Sequence, residues 1–261
     1  MVKIGIIGGT GFDENIFEDE KKIEKSTPYG KPSDKIITGK YKGVEVVFIP
    51  RHGAKHTINP TNVNYRANIS ALKDLGVTHI LAPTACGSLR ENMKPGDFIM
   101  PDQFIDRTTK RIQTFYDKDQ VCHISMADPF CEKLRKLLNE TADELKVRHH
   151  KKGCLLSVEG PRFSTRAESF LFRSWNCDVL NMTTAPEATL AREAGICYQP
   201  IATVSDYDCW KESEEAVTQD MVSMIAKKNA ENIKKLVLTT IPKIKDWECS
   251  CRTAIDVAII K

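Results

Sequence analysis

Val204-Ser205-Asp206-Tyr207-Asp208-Cys209-Trp210 directly follows an apolar run, residues 196–204, that predicts a buried strand. Because side chains in a strand alternate between two faces, the carboxylates of Asp206 and Asp208 are expected to project in the same direction. Acids at the carboxyl end of a parallel strand lie where open α/β sheets bind their ligands. Three roles fit such a pair: holding a divalent metal, protonating and hydrogen-bonding a leaving group, or capping the next turn.

Strand and helix patterns alternate along the rest of the chain. Strands are predicted over residues 4–7, 44–50, 77–82, 153–158, 179–182 and 196–204, and helices over 64–75, from 128, 165–175, 184–195 and 218–241. Asp128, with Pro129 after it, is the predicted N-cap of its helix, and Thr165 with Glu168 and Thr184 with Glu187 are predicted capping boxes. This alternation indicates an α/β fold, a single domain over residues 1–261 with a mixed, mainly parallel central sheet flanked by helices.

Composition excludes several classes of protein. The chain has 261 residues, with 38 Lys and Arg against 35 Asp and Glu, and its formal net charge of +3 does not favour a nucleic-acid partner. The sequence begins with a strand pattern instead of a signal peptide, and no apolar stretch has the roughly 20 residues that a membrane span needs. We therefore expect a cytoplasmic protein without a membrane partner.

Nine cysteines are an odd and high number. Most lie within apolar runs, where a thiol behaves as a small buried hydrophobe. Cys249 and Cys251 form a C-x-C near the end, but no C-x-x-C partner or histidine cluster in the sequence completes a zinc set, so we expect no metal. A local disulfide and two reduced thiols both remain open for this pair.

Anion-binding groups follow several of the predicted strands. Gly8-Gly9-Thr10-Gly11 is a glycine turn that can aim backbone N–H groups at an anion, although its spacing does not match a dinucleotide-binding pattern. Arg51-His52, Thr84-Ala85 and Met182-Thr183 follow three other strands and supply a guanidinium, an imidazole and hydroxyls. Each group alone has a simple structural explanation, but their recurrence at one edge of a sheet predicts a phosphate site.

A phosphate site beside an acid pair suits phosphorolysis of an N-glycoside. The sugar passes through an oxocarbenium-like state, as in glycoside hydrolysis, while negative charge builds on the departing base. An acid directed at the base stabilises that charge, and phosphate attacks the opposite face of the sugar.

Motifs across residues 4–244 resemble the 5′-methylthioadenosine phosphorylases, which belong to the trimeric purine nucleoside phosphorylases. The resemblance rests on Gly8 to Gly11, Thr27 to Asp34, Pro50 to Gly53, Asn64 to Asn68, Gly96-Asp97, Asp102 to Asp106, Glu159 to Phe163, Asn181-Met182-Thr183 and Ser205 to Asp208. It implies a purine nucleoside phosphorylase-like fold and phosphorolysis of 5′-methylthioadenosine to adenine and 5-methylthioribose 1-phosphate. It implies no cofactor, since inorganic phosphate is a co-substrate, and a homotrimer or hexamer. The tail, about residues 245–261, departs from the family.

The resemblance also implies a role for each site residue. Phosphate is held by Thr10, Arg51, His52, Thr84, Ala85 and Thr183. Met182 lies under the ribose, Phe163 against the purine, and Ser205 adds a hydroxyl contact. Asp206 faces the five-membered ring of adenine and Asp208 its exocyclic amine, and the pair is catalytic. His123, beside Val222, reaches the methylthio end of a neighbouring subunit's substrate. Relatives that prefer 6-oxopurines carry Asn at one acid position, so two Asp favour adenine.

Four alternatives remain open. A broader purine nucleoside phosphorylase would accept adenosine or 6-oxopurine nucleosides. A metal-dependent nucleotide-sugar transferase would use the two Asp as ligands, although no third ligand is evident. A nucleosidase would use water instead of phosphate, and a nucleoside-binding module would not need the acid pair.

Overall fold

The computed structural model describes residues 2–9, 16–213 and 218–260. Its strands are β1 (Lys3–Gly8), β2 (Glu18–Ile23), β3 (Ile36–Tyr41), β4 (Val44–Pro50), β5 (His79–Ser88), β6 (Phe98–Ile99), β7 (Gln103–Arg107), β8 (His149–His150), β9 (Cys154–Val158), β10 (Val179–Asn181) and β11 (Cys197–Asp206). Its α-helices are α1 (Tyr65–Asp74), α2 (Glu132–Glu144), α3 (Arg166–Ser174), α4 (Thr184–Glu193), α5 (Gln219–Thr240) and α6 (Ser250–Thr253). These elements confirm the α/β class.

One mixed sheet contains all of these strands. Its main path runs β2-β3-β4-β1-β5-β10-β9-β7, and β11 pairs with β5 and β6, while β6 also pairs with β8. The pairs β1–β4, β1–β5, β5–β11, β9–β10, β7–β9 and β6–β8 are parallel, and the other four are antiparallel. The sheet is therefore mixed and mostly parallel, as predicted.

The strand β5 is the centre of the sheet, because it changes partners along its length. Its residues 79–81 pair with β1 and its residues 87–88 pair antiparallel with β10, while β11 pairs with it over residues 79–87. The sequence prediction ended this strand at residue 82, but it continues to Ser88. Thr84 and Ala85 therefore lie within β5, at the point where its partner changes from β1 to β10.

Helices cover both faces of the sheet. One buried cluster joins Ile4, Phe48 and Leu81 to Leu134 of α2 and Leu236 of α5. The other cluster joins apolar residues of the sheet to α1 and α4, for example through Ile69 and Leu190. Burial of apolar surface on both sides explains the nearly continuous apolar runs of β1, β5 and β11.

Helix starts match the prediction where local side chains cap them. Asn64 caps α1 by accepting a hydrogen bond from the Ala67 N–H at 3.1 Å, and Thr165 with Glu168 forms the predicted capping box of α3. The predicted Asp128 cap is wrong, because α2 begins at Glu132 with Cys131 at its N-cap. The Cys131 N–H donates to the Tyr198 carbonyl on β11 at 2.9 Å, which keeps this residue extended.

None of the described helices combines the length and the apolarity that crossing a membrane requires.

Candidate active site

The two acids at the end of β11 are brought together by a bulge and a side-chain turn. The register of β11 against β5 shifts between Val204 and Asp206. Asp208 then lies in a short 3₁₀ helix with φ of +50°, and its N–H donates to Asp206 Oδ1 at 2.7 Å. The prediction that strand alternation makes the two carboxylates project in the same direction is therefore wrong, since Asp208 lies outside the strand. A left-handed backbone conformation is uncommon for a residue other than glycine, and strained conformations of this kind cluster at functional sites.

The neighbouring strand leaves room for both acids. A side chain at Gly87 of β5 would place its Cβ 3.1 Å from Asp206 Oδ1 and 3.4 Å from Asp208 Cβ. Ser205, at the bulge, has its hydroxyl 2.6 Å from Asp206 Oδ2 and 3.2 Å from the Cys86 carbonyl. The glycine and the serine thus hold the acid pair against the end of β5.

Both acids are buried and hold their protons more tightly than usual. Asp206 is 9% exposed and Asp208 is 5% exposed. Burial raises the pKa of Asp206. For Asp208, burial together with the Asp206 charge raises the pKa to about 6. The nearby hydroxyls of Ser169 and Ser164 act in the opposite direction and lower this pKa, but by less. Asp208 Oδ2 and these two hydroxyls have no hydrogen-bond partner among the described residues. A buried carboxylate oxygen without a donor is costly unless a ligand supplies one.

Asn181, at the end of β10, connects the groups predicted to bind phosphate. Its Nδ2 donates to the hydroxyls of Thr84 at 3.0 Å and Thr184 at 2.7 Å. Its Oδ1 accepts from the Ser157 hydroxyl at 3.1 Å and from the Thr183 N–H at 3.4 Å. Because the amide is buried and bonded on both sides, it fixes the positions of Thr84 and Thr183 relative to each other.

Thr183 is the N-cap residue of α4, but its side chain makes no capping hydrogen bond within the described residues. Instead, the Ser157 hydroxyl accepts from the Ala185 N–H at 3.0 Å at the start of this helix. The predicted capping box of Thr184 and Glu187 is therefore wrong. The Thr183 hydroxyl therefore does not cap the helix. It lies at the N-terminus of α4, where the helix dipole favours an anion.

Glu187 instead forms a buried ion pair with Arg51. Arg51 Nε and Nη2 donate to the two carboxylate oxygens at 2.5 and 3.0 Å, and the Tyr198 hydroxyl donates to the same carboxylate at 2.8 Å. The guanidinium also donates to the Pro83 carbonyl at 2.9 Å and the Ile7 carbonyl at 3.1 Å. Burial alone would lower the pKa of Arg51, but the Glu187 carboxylate raises it above its ordinary value.

These four bonds decide what Arg51 can offer to an anion. A guanidinium has five N–H donors, so one Nη1 N–H is left. The positive charge of Arg51 is offset by Glu187 at close range, and the arginine joins β1, β4, β5 and α4. It can therefore contribute one directed hydrogen bond to phosphate while it holds the strand ends together.

His52 is a neutral group at neutral pH. Its Nδ1 is 2.8 Å from the Ile58 carbonyl, and its ring stacks on His56 with centroids 4.5 Å apart. Burial, followed by the neighbouring charge of Arg51, lowers the pKa of His52 to about 4. Since a carbonyl only accepts, Nδ1 carries the proton, and Nε2 is an acceptor in the neutral ring.

The remaining predicted residues differ in exposure. Ala85 lies exposed on β5, and Met182 is half-buried against Gly160, whose φ of +66° and closeness to the Met182 sulfur exclude a side chain. Phe163 is 37% exposed. His123 is exposed, and its N–H donates to the Ala258 carbonyl of the tail at 2.8 Å. Thr10 and the side chain of Val222 lie outside the described part of the chain.

Sequence reasoning assigned no role to Asn181, Ser157 or Glu159, and it gave Glu187 only a capping role. Glu159 accepts from the Thr61 hydroxyl at 2.7 Å and from the Thr109 N–H at 2.6 Å, and Arg111 Nε donates to it at 3.1 Å. Burial opposes ionisation, but these hydrogen bonds lower its pKa to about 2. Glu159 thereby anchors the irregular segment after β7. In the sequence, only its position beside Gly160-Pro161 pointed to Glu159. Asn181, Ser157 and Glu187 each bond to residues that are distant in sequence, so local patterns did not reveal their contacts.

Fold and site together define an α/β protein with a pair of buried acids at one strand end and a network of threonine hydroxyls at the start of a helix. The family model of the phosphorylase superfamily matches residues 3–242. The chain belongs to this superfamily.

Named relatives narrow the comparison. The S-methyl-5′-thioadenosine phosphorylase of Danio rerio is 57% identical over 255 residues, which cover 95% of this chain and 91% of the relative. The protein of the same name from Thermofilum pendens is 50% identical over 261 residues and covers 99% of both chains.

Solved structures agree with the sequence relatives. Methylthioadenosine phosphorylase from Schistosoma mansoni, in complex with adenine, superposes with a TM-score of 0.92 at 43% identity, over 98% of this chain and 96% of that one. A methylthioadenosine phosphorylase from an Antarctic soil metagenomic library has a TM-score of 0.94 at 41% identity, over 99% and 92% of the two chains.

Proposed function

We propose that this protein is a pentosyltransferase that cleaves 5′-methylthioadenosine with inorganic phosphate, releasing adenine and 5-methylthioribose 1-phosphate. The relatives' names and the adenine bound in the Schistosoma mansoni structure support this substrate. The reaction belongs to purine and methionine salvage.

The acid pair carries the proposal. Asp208 Oδ2 is a buried acceptor without a donor, and the exocyclic amine of adenine is a donor of the required kind. Asp206, whose pKa burial raises, hydrogen-bonds the five-membered ring and stabilises the negative charge that builds there as the glycosidic bond breaks. The bond between sugar and base breaks, a phosphate oxygen bonds to the sugar, and the base takes the proton of the Asp206 carboxyl at its ring nitrogen; Asp206 then regains a proton from solvent.

The phosphate would be bound on the opposite face of the sugar. We assign this role to Thr84, Ala85 and Thr183 with one N–H of Arg51, and to Thr10 from the glycine turn. His52, as a neutral acceptor, would receive a hydrogen bond from a protonated phosphate oxygen. Met182 and Phe163 would contact the ribose and purine, and Ser205 would hold Asp206. No group in this scheme requires a metal or another cofactor.

Assembly as a homotrimer or hexamer is part of the proposal. Helix α3 and its C-cap expose Phe170 at 48%, Leu171 at 47% and Trp175 at 39%, and exposed apolar side chains that form a patch often mark a subunit contact. His123, with Val222, would reach the methylthio group bound by a neighbouring subunit. Residues 1–261 would form one cytoplasmic phosphorylase domain whose tail departs from the family. Light scattering of the purified protein measures its mass, and a monomer would contradict this assembly.

The experiment is adenine release from 5′-methylthioadenosine with and without phosphate, beside adenosine and inosine. Strict dependence on phosphate and preference for the adenine nucleosides are expected. Release without phosphate would indicate a nucleosidase, equal or better use of inosine would exclude the adenine assignment, and preference for adenosine over 5′-methylthioadenosine would favour the broader phosphorylase.

A second measurement tests the acid. Asp206→Asn should lose about 10²-fold or more in turnover, the usual range for a general acid, while KM for phosphate stays within a few-fold. Asp74→Asn, at the exposed end of α1, is the matched control and should keep the wild-type rate. Unchanged turnover in Asp206→Asn would reduce Asp206 to a positioning role.

A further inference from the structure

Four cysteines from three distant parts of the chain converge in the structure. They are Cys131 at the N-cap of α2, Cys197 at the start of β11, and Cys249 and Cys251 in the tail. Their four sulfur atoms all lie within 4.8 Å of one another, and the Cys131 and Cys249 sulfurs are 3.6 Å apart. Three of the four are buried and Cys249 is partly buried.

Hydrogen bonds hold these cysteines in place. The Cys131 N–H donates to the Tyr198 carbonyl at 2.9 Å, which joins the N-terminus of α2 to the start of β11. Lys133 Nζ donates to the Glu248 carbonyl at 2.6 Å, which brings the tail beside α2. The Arg252 N–H then donates to the Cys249 carbonyl at 3.0 Å, so the chain turns back and both tail sulfurs face the other two.

The arrangement is close to that of a tetrathiolate metal site. With Zn–S bonds of about 2.3 Å, the corners of a tetrahedron lie about 3.8 Å apart. The sulfurs are all within 4.8 Å, so shifts of about 1 Å or less would complete the coordination. Soft thiolate ligands in tetrahedral geometry select zinc over magnesium, calcium or manganese.

We propose that Cys131, Cys197, Cys249 and Cys251 bind one structural Zn²⁺ that fastens the C-terminal tail to the catalytic domain. As zinc binds, the four thiols lose their protons to solvent and four Zn–S bonds form, without any change of oxidation state. A closed set of four protein ligands leaves no position for substrate, so the site is structural.

The surroundings suit the charge of such a site, because zinc with four thiolates carries a net charge of −2. Arg192 is buried, and its Nη1 lies 3.6 Å from the Cys251 sulfur. Arg252 lies close to Cys197, and its buried Nη2 has no hydrogen-bond partner within the described residues. Arg192, and Arg252 in part because its Nη1 also donates to Asp246 at 2.6 Å, offset this negative charge.

The sequence expectation of no metal rested on the lack of a second ligand pair near the C-x-C. The fold supplies the other two ligands from residues far away in sequence. The phosphorylase superfamily model ends at residue 242, so the two tail cysteines lie beyond it. Beyond the cluster, the tail pairs with the segment that carries His123, since the Ile260 N–H donates to the Val121 carbonyl at 3.0 Å.

Metal analysis of the full-length protein, purified with a reductant and without a chelator, tests the proposal. We expect one zinc per chain, and less than a tenth of that in the Cys249→Ser/Cys251→Ser variant. Cys122→Ser, whose sulfur is outside the cluster, is the matched control and should keep its zinc. Equal zinc in the double variant would overturn the proposal.

A second measurement does not depend on the variants. Wild-type protein that has been stripped of zinc and titrated with Co²⁺ should saturate at one equivalent, with the absorption bands of a tetrahedral cobalt tetrathiolate. If the protein has no zinc and an intact mass four hydrogens below that of the reduced chain, the cluster holds two disulfides instead, and the proposal is wrong.

Discussion

Replacing Asp208 by Asn separates what this residue does for binding from what it costs the fold. The side chain is 5% exposed, its Oδ2 has no hydrogen-bond partner among the described residues, and its pKa is raised to about 6. Asn has nearly the same shape but carries no charge. It can donate to a 6-oxo group, whereas a carboxylate can only accept from the 6-amino group.

The expected loss of activity follows from one hydrogen bond. A hydrogen bond to a charged group contributes about 1.5–3 kcal/mol, and each 1.36 kcal/mol is tenfold in rate. Asp208→Asn should therefore lower kcat/KM for 5′-methylthioadenosine by about 10- to 150-fold. A neutral bond from the new amide to O6 is worth about 0.5–1.5 kcal/mol, so kcat/KM for inosine should rise by about 2- to 10-fold.

The same substitution should stabilise the free protein above pH 6. The folded-state pKa of about 6 lies above the ordinary 3.8, so folding favours the protonated acid. This favourable contribution is fully present below pH 3.8 and is lost as the pH rises through 6. The difference of about two units corresponds to about 3 kcal/mol. Asn avoids this loss. The free energy of unfolding of the variant minus that of wild type should therefore be up to about 3 kcal/mol higher at pH 8 than at pH 4.

Two measurements check the argument, with Asp74→Asn as the surface control. Initial rates with both nucleosides at pH 7.5 give the specificity ratio, which should move toward inosine by roughly two orders of magnitude. Thermal unfolding without substrate at pH 4 and pH 8 gives the stability, and a gain of about 3 kcal/mol at pH 8 corresponds to several degrees in Tm. Full activity toward 5′-methylthioadenosine, or a Tm relative to wild type that is no higher at pH 8 than at pH 4, would refute the reasoning.

Three further substitutions test the groups around the site. Arg51→Met removes the guanidinium and leaves the Glu187 carboxylate buried without its ion-pair partner, so the free energy of unfolding should fall by about 3–5 kcal/mol; a urea titration that shows no change would contradict this. Asn181→Ala removes the connection to Thr84, so KM for phosphate should rise about tenfold or more while KM for the nucleoside changes little, and equal changes in both would indicate a general loss of structure. Glu159 is ionised above its pKa of about 2, so its stabilising contribution is present above pH 4.5 and is lost as the pH falls toward 2. Glu159→Gln should therefore speed amide hydrogen exchange of residues 109–110 at pH 7, and equal exchange in both proteins would rule out the proposed anchoring.

Local patterns in the sequence determined the class of the fold. The apolar runs of β1, β4 and β11 are buried strands because both faces of the sheet are covered, and such strands appear in sequence without alternation. Caps made by neighbouring side chains, as at Asn64 and Thr165, were also predictable because donor and acceptor lie within a few residues. The types of residue at the strand ends likewise pointed to an anion and an acid pair.

Tertiary structure alone decided the contacts between distant residues. Glu187 fits a capping pattern in sequence, but the guanidinium of Arg51 competes for its carboxylate, and a buried bidentate pair is stronger than an exposed cap. The bulge at Ser205 and the left-handed Asp208 could not be read from alternation, since they depend on the register against β5. Four cysteines meet because three segments fold together, and no local pattern records that convergence. Sequence determines what each residue can do, and the fold decides which partner it meets, because contact energies depend on distances that sequence spacing does not contain.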